Sequence, residues 1–368
     1  MDQPATFGET LRRLRRERGL SLRDLGRLTH DSKTVLGYWE TGRTAPDADT
    51  VARLDGQLQA GGQLVAAAPL RISANGHSER LAHVAARPRT VDMTAVDALS
   101  GVLANLRRLE DTVGAGPLIS AAAGPLRLVE ALADDARGPI RRKVVDMAGQ
   151  WAQFAGWLRA ATNQPARARD QYARALEYAT EAGNRDLIAT ALSMRGNLAW
   201  MARKPGPMVG LSAAAAEQAD HPGVRAMAAQ QEARGHALLG EDDDVQNLFD
   251  KAEAGLAAAA EHPEDEPPWI YFYGPGYLAM QRGLAYRLVG RTDDAIATLT
   301  AGLVATDPGV RSSEFVAAYM LYLAEEHARA GNRDMARTLL EQIRRVAAAT
   351  GSAKLATGAA RLAAGIGE

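Results

Sequence analysis

Apolar residues recur at helical intervals along almost the whole chain, and β-branched runs of period two are missing. This pattern predicts an all-α protein. Phe7, Leu11 and Leu14 share one face of a first helix that stops at Gly19. Ser21 is placed to cap a second helix, with Asp24 three residues on as its capping-box partner. That helix is expected to bury Leu25 and Leu28. A short turn spans Thr29 to Asp31, and Ser32 caps a third helix, Lys33 to Glu40, which buries Val35 or Leu36 together with Trp39. Gly42 ends it, Pro46 follows the turn, and Val51, Leu54 and Leu58 mark a further amphipathic helix.

Beyond this compact region, residues 69–91 hold Pro69, Gly76 and Pro88 with little apolar periodicity, which reads as a linker. Residues 92–139 are expected to form a helical pair, and 140–368 a repeated helical domain. The repetition is visible in Gly283–Gly290 followed by Ala295 and Leu299, and in Ala324–Gly331 followed by Ala336 and Leu340. The same frame fits Gly156–Asn163 with Ala168 and Tyr172, and Ala233–Gly240 with Val245 and Phe249. A degenerate copy surrounds Gly196 and Trp200. Small residues let two helices cross closely, a Gly or Asn closes the first helix through a left-handed conformation, and a bulkier residue on the second helix fills the gap. The segment resembles divergent tetratricopeptide repeats, helix–turn–helix units that stack into a solenoid; any other antiparallel helical array is the plainer alternative.

Composition narrows the function classes. The 368 residues include no Cys, so disulfide scaffolds, thiolate metal sites and cysteine nucleophiles are excluded. The seven His show no metal-ligand spacing, and no P-loop, G-x-S-x-G or dinucleotide fingerprint occurs. An enzyme is therefore not expected, nor a cofactor. No apolar stretch is long enough for a membrane span, and no export signal opens the chain, so a cytoplasmic location is expected. The formal net charge of −1 rules out a basic coat over the whole protein, but residues 1–43 carry nine basic groups against six acidic ones. A positive end on an acidic body suits approach to a polyanion; a solvated helix face explains the Arg run at 12–18 equally well.

Two short helices joined by a tight turn, with a third element behind, are the parts of the DNA-reading helix-turn-helix. The stretches Gly19-Leu20-Ser21-Leu22-Arg23-Asp24-Leu25-Gly26 and Ser32-Lys33-Thr34-Val35-Leu36-Gly37-Tyr38-Trp39-Glu40-Thr41-Gly42-Arg43 resemble the lambda-repressor-like (XRE-family) domain over residues 7–66. The resemblance implies an N-terminal domain, residues 1–68, whose third helix enters the major groove of double-stranded operator DNA. Ser32, Lys33, Thr34 and Tyr38 would then read base edges. Arg23, Arg43 and Thr44 would hold phosphates, together with backbone amides opening the second helix. It also implies a structural ion pair between Arg15 and Glu40. His30 stands at the turn position the family usually gives to Gly, and Gly26 where it usually has Ala.

A stacked array has a face lined by its first helices, and the repeat frame places Gln153, Trp157, Ser193, Asn197, Gln230 and Arg234 on it as a candidate effector groove. Amide side chains suit an extended peptide, and Arg234 suits a carboxylate; ordinary surface polarity is the alternative. Trp269, Tyr271, Phe272, Tyr273 and Tyr277 cluster after the acidic loop Glu261–Glu266 and either wall a pocket or, the favoured reading, anchor a long loop. Helix-turn-helix followed by divergent repeats looks like the peptide-responsive regulators of the RRNPP type and similar regulators of actinobacterial character. What this implies is a transcriptional regulator that binds an imperfect palindrome as a homodimer, with the repeats for dimerisation and for sensing a peptide, small-molecule or protein ligand. A protein–protein adaptor that keeps a vestigial DNA-binding domain is the rival reading.

Overall fold

A computed structural model of the chain describes residues 6–29, 31–43, 46, 48–67, 77–306 and 313–367. Among these residues there are nineteen α-helices and two short 3-10 turns, and no strand. The chain divides into two compact units, Met1–Trp151 and Ala152–Glu368. No helix among the described residues is long and apolar enough to cross a membrane.

The first unit opens with α1 (Phe7–Glu17), α2 (Leu22–Thr29), α3 (Lys33–Glu40), α4 (Ala48–Gln57) and α5 (Gln63–Ala67). Each of the first three starts on a side-chain cap that satisfies otherwise orphaned amides. Thr6 and Glu9 form a reciprocal box at α1, Ser21 and Asp24 another before α2, and Ser32 Oγ accepts from Val35 N at 3.2 Å before α3. Phe7, Leu11, Leu14, Leu25, Leu36, Trp39, Val51, Leu54 and Leu58 are buried. The open choice between Val35 and Leu36 falls to Leu36. Leu28 departs from expectation: it is 44% exposed, and Thr29 is buried instead. The inward stripe of this eight-residue helix therefore runs from Leu25 to the residue four positions on, leaving Leu28 on its shoulder.

The segment read as a linker contains α6 (His77–Ala86), which packs on α7 (Met93–Val113). Arg80 reaches Asp92, the residue whose carboxylate caps α7. The expected helical pair is α7 with α8 (Ala115–Asp135), joined through Gly114 at φ 77°. This pair packs against α4 and α5, so it belongs to the same compact unit as the N-terminal helices.

The boundary between the units falls inside α9 (Ile140–Ala161). The second unit continues with α10 (Pro165–Ala182), α11 (Arg185–Met201), α12 (Pro205–Gln218), α13 (Pro222–Leu239) and α14 (Asp242–Ala259). It ends with α15 (Pro275–Leu288), α16 (Thr292–Ala305), α17 (Glu314–Arg329), α18 (Arg333–Thr350) and α19 (Ala353–Ile366). From α10 to α19 each helix packs on the next, and α11, α13, α15 and α17 also touch in series. The repeat frame predicted Ala168, Tyr172, Val245, Phe249, Ala295, Leu299, Ala336 and Leu340 as filling residues, and all eight are 0% exposed. A Cβ on Gly156 would lie 2.4 Å from the Tyr172 ring, so only glycine permits that crossing. The degenerate copy turns at Arg203, whose φ of 53° matches the left-handed turns at Asn163, Gly240, Gly290 and Gly331. Its sequence signal was weak because a left-handed turn there is held by a residue that rarely adopts one.

Candidate nucleic-acid interface

Helix α3 is amphipathic in a way that separates two jobs. Leu36, Trp39 and Glu40 face the core. Ser32, Lys33, Thr34, Val35 and Tyr38 are exposed. The Ser32 hydroxyl is engaged as the helix cap. Lys33 and Thr34 thus occupy the first turn, where the partial positive end of a helix favours anions. Tyr38 lies one turn further, with the Arg43 guanidinium 5.7 Å from its ring centre. Arg23 is exposed on the first turn of α2. The backbone amides of Ser21 and Asp24 are already bonded within the capping box. Thr44 and His30 lie outside the described residues.

The outward aim of α3 is fixed from behind. Arg15 Nε donates to Glu40 Oε1 at 2.5 Å, and its Nη2 to Oε2 at 3.0 Å. Arg12 adds bonds to the same carboxylate and to the Glu40 carbonyl. Glu40 is buried, so its charge requires these partners. Gly8 lets α1 lie directly on the end of α3, since a Cβ there would meet Trp39 O at 2.6 Å. On the other side, Arg53 of α4 grips Asp31 through both carboxylate oxygens at 3.0 Å and also donates to the Thr29 carbonyl. The turn between α2 and α3 is therefore held by a residue 22 positions away from Asp31. Gly26 meets the same turn: a Cβ would sit 2.6 Å from Asp31 O, so even the family's usual Ala would not fit this geometry.

Sequence reasoning missed Arg53 and Gly8. Arg53 has no local signal, being one Arg among many. A glycine inside an amphipathic helix, as at Gly8, is the one pointer that was legible.

In the second unit, the candidate groove residues occupy successive first helices, but four of the six are buried rather than presented. Gln153, Ser193, Gln230 and Arg234 are 5%, 1%, 0% and 5% exposed. Trp157 packs with Ala160, Tyr172 and Met194, and Asn197 is half-buried. Gln230 Nε2 donates to Gln281 Oε1, and Gln281 Nε2 to the Tyr319 hydroxyl. Arg234 donates to Gln231 and stacks on Trp200, 4.1 Å from the ring centre. The aromatic cluster is mixed in character. Trp269 is buried and donates to Thr190 Oγ1 at 2.8 Å, an anchor. Tyr271 and Phe272 are 39% and 38% exposed.

A separate open cleft of about 550 Å3 is lined by Glu232, His236, Asp244, Asp250 and Lys251 among others. Its His236 Nδ1 lies 2.5 Å from Glu241 Oε2 and 3.8 Å from Asp244 Oδ2. Burial raises the Glu232 carboxyl above its usual range, with His236 and Lys251 opposing. These groups form an ion-pair cluster and carry no metal assignment.

Residues 6–68 match the family described as helix-turn-helix domain. That segment of the chain is a helix-turn-helix domain, and an array of packed helices follows it. A solved structure of Bacillus thuringiensis PlcR, in complex with the peptide PapR7 and DNA, aligns at 10% identity over 70% of this chain and 97% of that one. The TM-score of that alignment is 0.33. No curated protein gives a significant match.

Proposed function

We propose that this chain is a sequence-specific DNA-binding transcriptional regulator, acting as a homodimer in the cytoplasm. The observation that carries this reading is the division of α3: Lys33, Thr34 and Tyr38 face outward while Leu36, Trp39 and Glu40 are locked inward. Lys33 is placed to donate to guanine O6 or N7, and Thr34 to meet a base edge or a thymine methyl. The exposed Val35 adds an apolar contact of the same kind. Tyr38 reads further along the groove. Arg23 and Arg43 hold phosphates on either side, and Thr44 joins them. Ser32 serves first as the cap that orients the reading turn and second as a base contact through its hydroxyl proton. Arg15 and Glu40 are structural.

One such domain makes few contacts, and specific sites join two modules on half-sites one helical turn apart, about 34 Å. The repeat unit supplies the dimer contact and a place for an effector along Gln153, Trp157, Ser193, Asn197, Gln230 and Arg234, of which Trp157 and Asn197 are half-buried and the other four lie beneath the surface. An effector acts by binding one dimer arrangement better than another. Gel shifts of the full chain against genomic fragments test the reading. Discrete fragments retained in excess competitor DNA support it; weak retention abolished by moderate salt on every fragment refutes it and leaves the adaptor. Analytical ultracentrifugation that finds a monomer at micromolar concentration, with and without retained DNA, removes the dimer.

A further inference from the structure

The second unit contains a buried cation with no anionic partner. Arg234 is 5% exposed, and the ionisable groups that act on it are three tyrosines, with no carboxylate among them. An arginine side chain cannot shed its proton in a protein, so the charge is permanent. Its contacts are a neutral amide oxygen, Gln231 Oε1 at 3.0 Å, and the face of Trp200. Its Nε is buried and has no hydrogen-bond partner in the protein. Nor does the buried Oε1 of Gln230, one helical turn away on α13. Buried charges are ordinarily paired, because desolvation without a counter-charge is costly.

The surroundings supply further groups of one kind. Gln281 links Gln230 to the Tyr319 hydroxyl, and Tyr277, Tyr319 and Tyr322 are the ionisable groups that act on Arg234. Burial raises the Tyr277 phenol above its ordinary range and the Tyr319 phenol well above it, so they offer no anion to the guanidinium. From there an aromatic path runs to the surface. Tyr277 stacks on Phe315 at 5.3 Å and 7°, Phe272 meets the edge of Tyr277 at 5.2 Å, and Phe272 and Phe315 are 38% and 39% exposed.

We propose that Arg234 is the anion receptor of a ligand site in the repeat unit, and that its ligand is a monocarboxylate whose apolar body lies along Tyr277, Phe315 and Phe272. A single guanidinium flanked by neutral amides and phenols matches one negative charge; a phosphate dianion would leave a charge uncompensated. The acidic cleft around Glu232 and His236 is not this site, since residues two positions away from Gln230 and Arg234 lie on the far side of α13 and would repel the ligand. The inference rests on the proposed effector-sensing role for its biological meaning, but not for its test.

Phenylacetate is the probe, and its neutral isostere phenylacetamide the control, with the full-length protein followed by thermal melting and Trp fluorescence. Phenylacetate at tenfold over its dissociation constant should raise the melting temperature of the second unit by about 3 °C and change the emission of Trp200. Phenylacetamide should do neither. Arg234→Met should abolish the response without lowering the melting temperature of the unliganded protein, because it removes an unpaired buried charge. Arg234→Lys should retain part of the response, and Phe315→Ala, at an exposed position, should weaken it at least threefold while the fold persists. A wild-type protein that answers both probes alike or neither, or a response that survives Arg234→Met, overturns the proposal. A negative gel shift leaves this result standing, and a negative melt leaves the DNA-binding reading standing.

Discussion

Arg53 of α4 holds Asp31 through both carboxylate oxygens at 3.0 Å and so ties the turn before the exposed helix α3 to a helix later in the chain. The bond is two-pronged and partly shielded, with the Asp31 side chain 16% exposed. Arg53 Nη2 alone reaches both oxygens, while its Nη1 donates to the Thr29 carbonyl, so the guanidinium spans the turn.

Arg53→Ala should therefore cost the N-terminal domain about 1–2 kcal/mol, since the Arg side is itself more than a third exposed and solvent screens part of the interaction. The more telling readout is DNA binding. Loss of the clamp lets the α2–α3 turn wander, so affinity for a retained fragment should fall more than denaturant stability does. A variant whose binding and stability fall in step would show that the clamp only stabilises.

Glu40 should be the more sensitive position. Its side chain is 4% exposed and answers to two arginines, and Glu40→Ala would leave Arg15 facing a dry interface. The expected loss is about 3 kcal/mol. Arg12→Ala, at a side chain 40% exposed, should cost less than about 1 kcal/mol. Urea melts of the two variants check the order.

Gly26→Ala should destabilise although alanine is the better helix former. The added methyl would press on the Asp31 carbonyl at 2.6 Å, and the resulting strain, about 1–3 kcal/mol, outweighs a propensity gain of about 1 kcal/mol. Equal or improved thermal stability would show that the turn yields.

Acid should loosen the same region. The Thr6 amide holds the Glu9 carboxyl below its ordinary range, and the Ser21 hydroxyl does the same for Asp24. A carboxyl whose folded pKa is depressed adds stability above its unfolded value near pH 4, and that stability is lost as pH falls through the lower folded value. The capping boxes of α1 and α2 should thus be intact at pH 6 and dissolve below about pH 4. In Asp24→Asn, the acid-dependent part of the loss should shrink when melts are compared across that window.

For base reading, Lys33→Ala and Tyr38→Ala should each reduce discrimination between a retained fragment and random duplex by about 1–3 kcal/mol. Arg43→Ala should weaken both evenly and lower the salt slope by about one. Competition gel shifts at two salt concentrations separate these outcomes; equal losses on both duplexes from all three would remove the division of labour. The 5.7 Å approach of Arg43 to Tyr38 makes the double variant informative, because neighbouring side chains need not act additively.

What the sequence determined by itself was everything written in local periodicity. The spacing of Phe7, Leu11 and Leu14, the caps Ser21 and Ser32, and the recurrence of small and bulky residues from Gly156 to Leu340 fixed an all-α chain with a helix-turn-helix start and a repeated array. These signals are legible because a helix puts residues three and four apart on one face whatever lies elsewhere in the chain. Tertiary structure decided which of those faces met. Whether Leu28 or Thr29 turned inward depended on the neighbours of α2. The linker reading failed to foresee α6, whose packing partner α7 lies further along the chain. Asp31 found Arg53, Trp269 found Thr190, and Gln230 found Gln281 across separations of 22, 79 and 51 residues. The burial of Arg234, expected on an open face, was likewise invisible locally. Such pairings arise only when distant helices stack, since the free energy that selects them comes from joint exclusion of water and not from any property of either segment alone.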